Sequence, residues 1–190
     1  MCSSDLGNHL GPALLTFLLL DLLKSSAPSR VVNVSSEAHR GARFDLNSLP
    51  SAAHHEAPPR RGFGPPPSLK AYGQSKLMMN AFTFELARRL QGTGVTVNCL
   101  HPGVVATNIW PTDSPLIFRM IMAVAKPFML TPKRGAETSL YLATSPEVAT
   151  VSGQYFIKSK RADSSPVSRD PKVIEDIWEW TEKTIGAGPA

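Results

Sequence analysis

The sequence predicts an α/β fold built on a parallel sheet, and three consecutive segments carry that prediction. Residues 30–35 and residues 95–100 are short runs rich in β-branched side chains, as is typical of strands. Residues 68–90 between them have the length and composition of a long helix, and Gly92 follows its end. The order strand, long helix, strand is that of a parallel crossover unit.

The other elements follow from local signals in chain order. Residues 8–24 form a predicted helix with Pro12 in its first turn, where a missing N–H costs little. Its apolar stretch, residues 14–23, is too short for a membrane span and contains Asp21, so a buried helix is expected. Further predictions are a polar connection over 41–68 with six prolines, a loop over 102–115, helices over 116–130, 132–144 and 171–185, and a strand over 154–157.

Composition disfavours several classes of function. The 190 residues carry a net charge of +5 (20 basic minus 15 acidic residues), but the basic residues are dispersed rather than interleaved with aromatics. Nucleic-acid binding therefore has little support. Cys2 and Cys99 have no metal-ligand spacing. His54 and His55 are neighbours in the proline-rich connection without cysteines or paired carboxylates, so no metal site is expected.

Tyr72 and Lys76 are the most informative pair, because four positions on a helix place them on one face. A free phenol has a pKa of about 10 and a free ammonium of about 10.4. A cation beside the phenol favours the phenolate and moves its pKa toward the working range of a general acid or base. Such a pair more often marks a solvated helix face. The segments before and after the helix therefore decide whether the pair is a candidate catalytic site. Ser36 and His101-Pro102-Gly103 follow the two predicted strands, where sites in open α/β sheets lie.

Four motifs in chain order resemble those of the short-chain dehydrogenase/reductase family, most closely its retinol-dehydrogenase-like branch. They are Asn8-His9-Leu10-Gly11, Asn33-Val34-Ser35-Ser36, the segment from Tyr72 to Lys76, and Pro102-Gly103-Val104-Val105-Ala106-Thr107. The resemblance runs from Asn8 through nearly all of the chain. It implies a doubly wound, Rossmann-type α/β domain, of which this chain is the C-terminal half.

The resemblance also implies roles for individual residues. Tyr72 is expected to be the general acid/base, and Lys76 to lower its pKa and hold the nicotinamide ribose. Ser36 is expected to hydrogen-bond the reacting carbonyl oxygen, and Asn8 to place a water in the proton relay. The residues expected to contact the cofactor are Tyr72, Lys76, Pro102, Gly103, Val105 and Thr107. NADP is the expected cofactor, with NAD left open.

One family feature is absent from this sequence. No glycine-rich turn for the cofactor pyrophosphate precedes Asn8. Residues 8–190 are therefore expected to be a partial domain that lacks its cofactor-binding half. Residues 1–7 are expected to be a non-native leader, because they lack the strand and loop that the family places there and because residues 2–6 match a translated sequencing adapter. The alternative is an ordinary alternative start.

Two segments are candidates for the substrate pocket. By resemblance, residues 110–130 are expected to form the variable lid over substrate and nicotinamide. Residues 51–68 make the connection longer than in compact family members, and a long loop next to a site can form one wall of the substrate pocket. The apolar side chains of the lid are Ile117, Phe118, Met120, Ile121, Met122, Val124, Phe128, Met129 and Leu130. They fit an adaptable pocket lining and a helix–sheet core equally well.

The sequence therefore predicts an oxidoreductase that transfers a hydride between a nicotinamide cofactor and a hydrophobic alcohol or carbonyl compound. One alternative is a sugar-nucleotide epimerase or dehydratase, because extended relatives use the same Tyr and Lys. Another is an inactive truncated protein. A cytoplasmic location is expected, with peripheral membrane contact and a homodimer left open.

Residues 1–190 expressed alone are expected to bind neither NADH nor NADPH and to have no reductase activity. The backbone amides of a glycine-rich turn are missing, so only Tyr72, Lys76 and the loop of residues 102–107 would contact one end of a long anionic ligand. The measurement is a fluorescence titration of NADPH with a monodisperse sample. Saturable binding in the micromolar range would contradict the expectation.

Overall fold

The computed structural model describes residues 6–46, 49, 67–105, 129–186 and 188, and its centre is a four-stranded sheet. The strands are β1 (Ser29–Val34), β2 (Val95–His101), β3 (Tyr155–Ile157) and β4 (Lys160–Ala162), in that spatial order. β1, β2 and β3 are parallel, and β4 is antiparallel to β3. The predicted parallel α/β architecture is confirmed.

Helices flank this sheet close to the predicted bounds. A short π-helix, Leu6–Leu10, leads into α1 (Gly11–Ser25), and α2 (Pro67–Arg89) connects β1 to β2. α3 (Pro132–Thr144) and α4 (Pro171–Ile185) complete the described α-helices. Three 3₁₀ helices cover Glu37–Gly41, Pro146–Val148 and Pro166–Arg169.

No local sequence signal predicts β4. β3 and β4 are joined by Lys158 and Ser159, which both have positive φ angles of 50° and 59°. Two-residue hairpin turns of this kind usually carry Asn, Asp or Gly. Without those residues, the hairpin could not be predicted.

Aromatic rings join three helices on one face of the sheet. Phe17 of α1, Phe82 of α2 and Trp178 of α4 pack with centroid separations of 5.5 to 5.7 Å, and the Phe82 and Trp178 rings are stacked. All three side chains belong to one buried cluster with Val95 and Val97 of β2. On α3, Leu142 clusters instead with Leu100 and Phe156. α2 is therefore held between the sheet and α4.

The expectation of a buried helix over residues 14–23 holds for one face of α1 only. Ala13, Thr16, Phe17 and Leu20 are buried. Among the opposite leucines, Leu18 is 71% exposed and Leu22 is 62% exposed. Apolar residues all around a helix do not show which side the neighbouring elements cover. In the described part of the chain, no helix is long and apolar enough to cross a membrane.

Residues 106–128 and 50–66 lie outside the described residues. They contain nearly all of the predicted lid, most of the pocket-wall loop, Thr107, His54 and His55. The roles assigned to these residues therefore remain predictions.

Replacing Gly73 of α2 with valine should lower the free energy of unfolding by about 1–3 kcal/mol, because the added side chain would overpack a tight contact. A Cβ atom there would lie 2.9 Å from the backbone oxygen of Ala38, which has little freedom to move. Gly and Val differ little in helix propensity, so packing decides the outcome. Urea unfolding measures the change.

Gly41→Val is the matched control, since a Cβ atom at Gly41 meets nothing within 4 Å. A surface substitution of this kind should change the free energy by no more than about 0.5 kcal/mol. Equal effects at both glycines would show that the close approach of α2 to residues 37–41 carries no constraint.

The buried His9 should make the fold less stable in acid. The Thr181 hydroxyl donates to the Ile177 carbonyl, so it accepts a hydrogen bond from His9 Nε2–H at 2.7 Å, while Nδ1 has no hydrogen-bond partner among the described residues. Burial lowers the pKa of His9 from 6.5 to about 3. Below about pH 6.5 the unfolded chain binds a proton that the folded chain does not, so stability falls as the pH falls.

His9→Gln keeps an N–H group for Thr181 but does not titrate, so its unfolding free energy should depend less on pH. Between pH 7 and 5 the unsubstituted protein should lose about 2 kcal/mol more than this variant. Urea unfolding at both pH values makes the comparison. Equal losses would show that His9 does not stay neutral in the folded state.

Candidate functional site

The candidate residues gather at one edge of the sheet, where β1 and β2 end. Ser36 follows β1 by two residues, and Pro102 follows β2 directly. β1 and β2 are adjacent and parallel, with Val34 opposite Leu100, so their carboxyl ends lie side by side. Polar groups after such strand ends share one site in open α/β sheets.

Tyr72 and Lys76 lie one turn apart on α2. The Lys76 ammonium is 5.7 Å from the centre of the Tyr72 ring, within the range of a cation–π contact. Lys76 is 9% exposed, and its Nζ donates a 2.8 Å hydrogen bond to the Val34 carbonyl at the end of β1. Burial lowers the pKa of Lys76, because the charged form is less well solvated there. A cation is thus held beside a half-buried phenol.

Ser36 begins the segment that we call the serine turn, Ser36 together with the 3₁₀ helix Glu37–Gly41. Its backbone is extended, and its hydroxyl oxygen accepts a 3.3 Å hydrogen bond from the Ala38 amide as the N-cap of that helix. A capping hydroxyl uses a lone pair and keeps its own proton. The half-buried Ser36 can therefore still donate to a ligand oxygen.

Two contacts bring α2 against the serine turn. The Ser35 hydroxyl donates to the Lys76 carbonyl at 3.2 Å, and Gly73 lies against the carbonyl of Ala38. The segment that carries Ser36 therefore lies against the turns of α2 that carry Tyr72 and Lys76.

Asn8 reaches α2 through a buried serine. Its Nδ2 donates to Ser75 Oγ at 3.3 Å, and Ser75 Oγ donates to the Tyr72 carbonyl at 2.8 Å. Asn8 lies in the π-helix, an irregularity that is frequent at functional sites. The sequence motifs predict no role for Ser75, although this residue lies inside the segment from Tyr72 to Lys76.

The predicted cofactor loop is described as far as Val105. Gly103 has a φ angle of 88°, and a Cβ atom at this position would overlap the Leu130 side chain. Val105 forms a parallel bridge with Leu130, and the Leu130 amide donates to the Val104 carbonyl at 2.8 Å. Pro102, Gly103 and Val105 are therefore anchored at the end of β2, while Thr107 is not described.

The structure adds a charged network that the sequence analysis missed. Tyr155 of β3 donates from its hydroxyl to Glu37 at 2.9 Å, and Arg40 donates to the same carboxylate at 2.8 Å. Burial alone would raise the pKa of Glu37, but the hydrogen bonds from Arg40 and Tyr155 outweigh it and the pKa is lowered. Burial is the main cause that raises the pKa of Tyr155. His101 also interacts electrostatically with Glu37. Of these residues, the sequence motifs include only His101, which precedes the Pro-Gly motif.

This arrangement suits proton transfer to or from a polarised oxygen. The Tyr72 phenol lies beside the Lys76 cation, and the Ser36 hydroxyl follows the end of β1. Within the described ranges, no group of three or more His, Cys, Asp and Glu side chains could hold a metal ion.

Comparisons with known proteins place these features in a family. A model of the family described as short chain dehydrogenase matches residues 60–115, which include Tyr72, Lys76 and Pro102. Human retinol dehydrogenase 14 is 45% identical over 181 residues, covering 94% of this chain and 51% of the relative. Human retinol dehydrogenase 12 is 42% identical over 179 residues, covering 94% and 52%. The chain thus spans about half the length of these curated relatives.

A solved structure shares the fold. An uncharacterised protein from Mycobacterium paratuberculosis superposes with a TM-score of 0.61 and 25% identity, covering 96% of this chain and 58% of that one. The sequence matches establish that the chain belongs to the short-chain dehydrogenase/reductase family and is retinol-dehydrogenase-like.

Proposed function

We propose that the protein carrying this chain is an NAD(P)-dependent oxidoreductase that interconverts a hydrophobic alcohol and its carbonyl compound. The observation that carries the proposal is the Lys76 ammonium, which is fixed on the Val34 carbonyl and lies 5.7 Å from the Tyr72 ring. Membership of the short-chain dehydrogenase/reductase family supports the reaction class.

Tyr72 is the group that exchanges the proton. When a carbonyl is reduced, the Tyr72 hydroxyl gives its proton to the oxygen that becomes the alcohol, and the nearby Lys76 cation stabilises the phenolate that remains. In the oxidative direction, the phenolate takes that proton back. A nicotinamide cofactor, when bound, supplies or accepts the hydride.

Ser36 and Asn8 assist this proton transfer. The Ser36 hydroxyl donates to the reacting oxygen as negative charge develops on it. Asn8 uses its amide nitrogen for Ser75, which leaves its amide oxygen to hold a water that resupplies the proton. Both groups are tied to protein neighbours, so little reorganisation accompanies the reaction.

The strand-end residues fit the nicotinamide end of a dinucleotide. The Lys76 ammonium has three N–H bonds, and among the described residues it gives one to Val34, so two remain for ribose hydroxyls. Gly103 has a positive φ angle and no side chain, so its backbone at the end of β2 is open to close approach by a ligand. Pro102, Val105 and Thr107 are proposed to border the same part of the cofactor. The choice of NADP over NAD is proposed only from the resemblance to the retinol-dehydrogenase-like branch.

The substrate proposal rests on the relatives. Two proteins that share 42–45% of the aligned residues are named retinol dehydrogenases, so a long apolar alcohol or aldehyde of that class is proposed. Retinal with NADPH is therefore the first substrate pair to assay.

Tyr72→Phe should lower kcat for NADPH-dependent retinal reduction by about 100- to 10,000-fold, the usual contribution of a general acid. The ring and its packing stay, so the melting temperature should change little. The assay uses the natural protein that carries this chain, with purified variants compared at equal concentration.

Tyr141→Phe is the matched control, because the Tyr141 hydroxyl donates to Glu147 in the 3₁₀ helix Pro146–Val148, a contact that includes none of the proposed site residues. It should keep full activity. Retention of more than a tenth of the activity by Tyr72→Phe would remove Tyr72 from the mechanism.

A further inference from the structure

His39 lies three residues after Ser36 and is completely buried. Its Nδ1 is 2.6 Å from the Ser36 carbonyl oxygen, and its Nε2 is 3.0 Å from the backbone nitrogen of Ser165. The edge of its ring packs against Tyr155 at a centroid separation of 5.1 Å. Three neighbours from different parts of the chain therefore fix the position of this imidazole.

These two hydrogen bonds define the protonation of His39. A carbonyl oxygen can only accept, so Nδ1 carries the proton, and a backbone N–H can only donate, so Nε2 is bare. The imidazole is therefore neutral and protonated on Nδ1. Burial, the largest cause, lowers the pKa of His39 and agrees with the neutral form.

A second histidine holds the other side of the same peptide unit. The carbonyl of the Ser36–Glu37 peptide accepts from His39, and the amide of that peptide donates to His101 Nδ1 at 3.4 Å. His101 therefore has a bare Nδ1, the opposite of His39. Since the peptide group is planar, holding its oxygen and its nitrogen fixes its orientation.

The Ser165 end of this contact is itself well anchored. Ser165 is the N-cap of the 3₁₀ helix Pro166–Arg169, and its hydroxyl oxygen accepts from the Ser168 amide at 3.4 Å. The Ser168 hydroxyl donates to the Ser165 carbonyl at 2.8 Å and lies 2.9 Å from the Ser164 hydroxyl, and all three serines are at most 4% exposed. The serine turn is thus tied through His39 to the segment that leads into α4.

We propose that His39 is a positioning residue that, together with His101, clamps the Ser36–Glu37 peptide and so aims the Ser36 hydroxyl at the reacting oxygen. The proposal rests on the role given to Ser36 in the proposed function. The Cα atom of Ser36 is one end of the clamped peptide, and the Ser36 side chain is attached to that atom. A tilt of the peptide would therefore move the hydroxyl. The charged or titratable groups around this contact are Glu37, Arg40, His101 and Tyr155.

Two variants of similar size separate the two hydrogen bonds of His39. In His39→Asn the amide nitrogen takes the place of Nδ1 and still donates to Ser36, while the bond to Ser165 is lost. In His39→Gln the longer amide reaches the place of Nε2 and still accepts from Ser165, while the side-chain bond to Ser36 is lost. The backbone amide of residue 39, 3.1 Å from the Ser36 carbonyl oxygen, then remains as a donor to that carbonyl in both variants. We expect His39→Gln to lower kcat at least tenfold with an unchanged KM for NADPH, and His39→Asn to stay within threefold.

Nuclear magnetic resonance tests the geometry without relying on activity. In the natural protein at pH 7, long-range ¹H–¹⁵N spectra should show His39 protonated on Nδ1, with His9 as an internal reference protonated on Nε2. The ¹³C resonance of the Ser36 carbonyl should move in His39→Gln and stay in place in His39→Asn. The Ser165 amide should lose protection from hydrogen exchange only in His39→Asn.

Equal losses of kcat in both variants, or full activity in His39→Gln, would overturn the positioning role, as would a His39 protonated on Nε2. Failure of the proposed function gives a different pattern, in which Tyr72→Phe keeps its activity. In that case the Ser36 carbonyl resonance in the two variants decides whether His39 holds this peptide.

Discussion

The hydrogen bond from the Lys76 ammonium to the Val34 carbonyl is the interaction on which the rest of the site depends. It joins a buried charge on α2 to the last residue of β1, and these two residues are 42 positions apart in the chain. A buried ammonium is costly unless it is hydrogen-bonded, so this contact restricts where α2 can lie along the sheet. The position of α2 in turn decides how Tyr72 lies relative to the serine turn and where Ser75 contacts Asn8.

Close packing supports this polar contact on both sides of α2. Toward the serine turn, Gly73 has no side chain, so the backbone of Ala38 lies directly against the helix. On the side of α1 and α4, the rings of Phe17, Phe82 and Trp178 hold the helix laterally. Protein interiors resist small displacements, so both contacts transmit the position of the core to the site.

The polar residues near the site carry a cost in stability as well as a role. His9 and His39 are both buried and neutral, with protons on opposite nitrogens, because their partners differ. Each disfavours folding in acid, where an unfolded histidine would be charged. The side chain of Asn80, on the same helix as Lys76, is also fully buried, and its amide has no hydrogen-bond partner in the described part of the chain. Buried polar groups of this kind are retained at functional sites more readily than in a purely structural core.

Local sequence signals predict most of the described helices and strands and place Tyr72 and Lys76 four residues apart on one helix, because periodicity and proline at helix starts act within a few residues. The sequence by itself also determined that Ser36 and Pro102 follow adjacent parallel strands, and with the family resemblance it assigned the roles. Only the tertiary structure decided that Ser165 and Tyr155, more than 100 positions from the serine turn, bond to His39 and Glu37. No local pattern encodes such contacts, because they exist only when separate strand ends and loops meet at the edge of the folded sheet. The same reason explains the exposed leucines of α1, since burial depends on which neighbours the fold supplies.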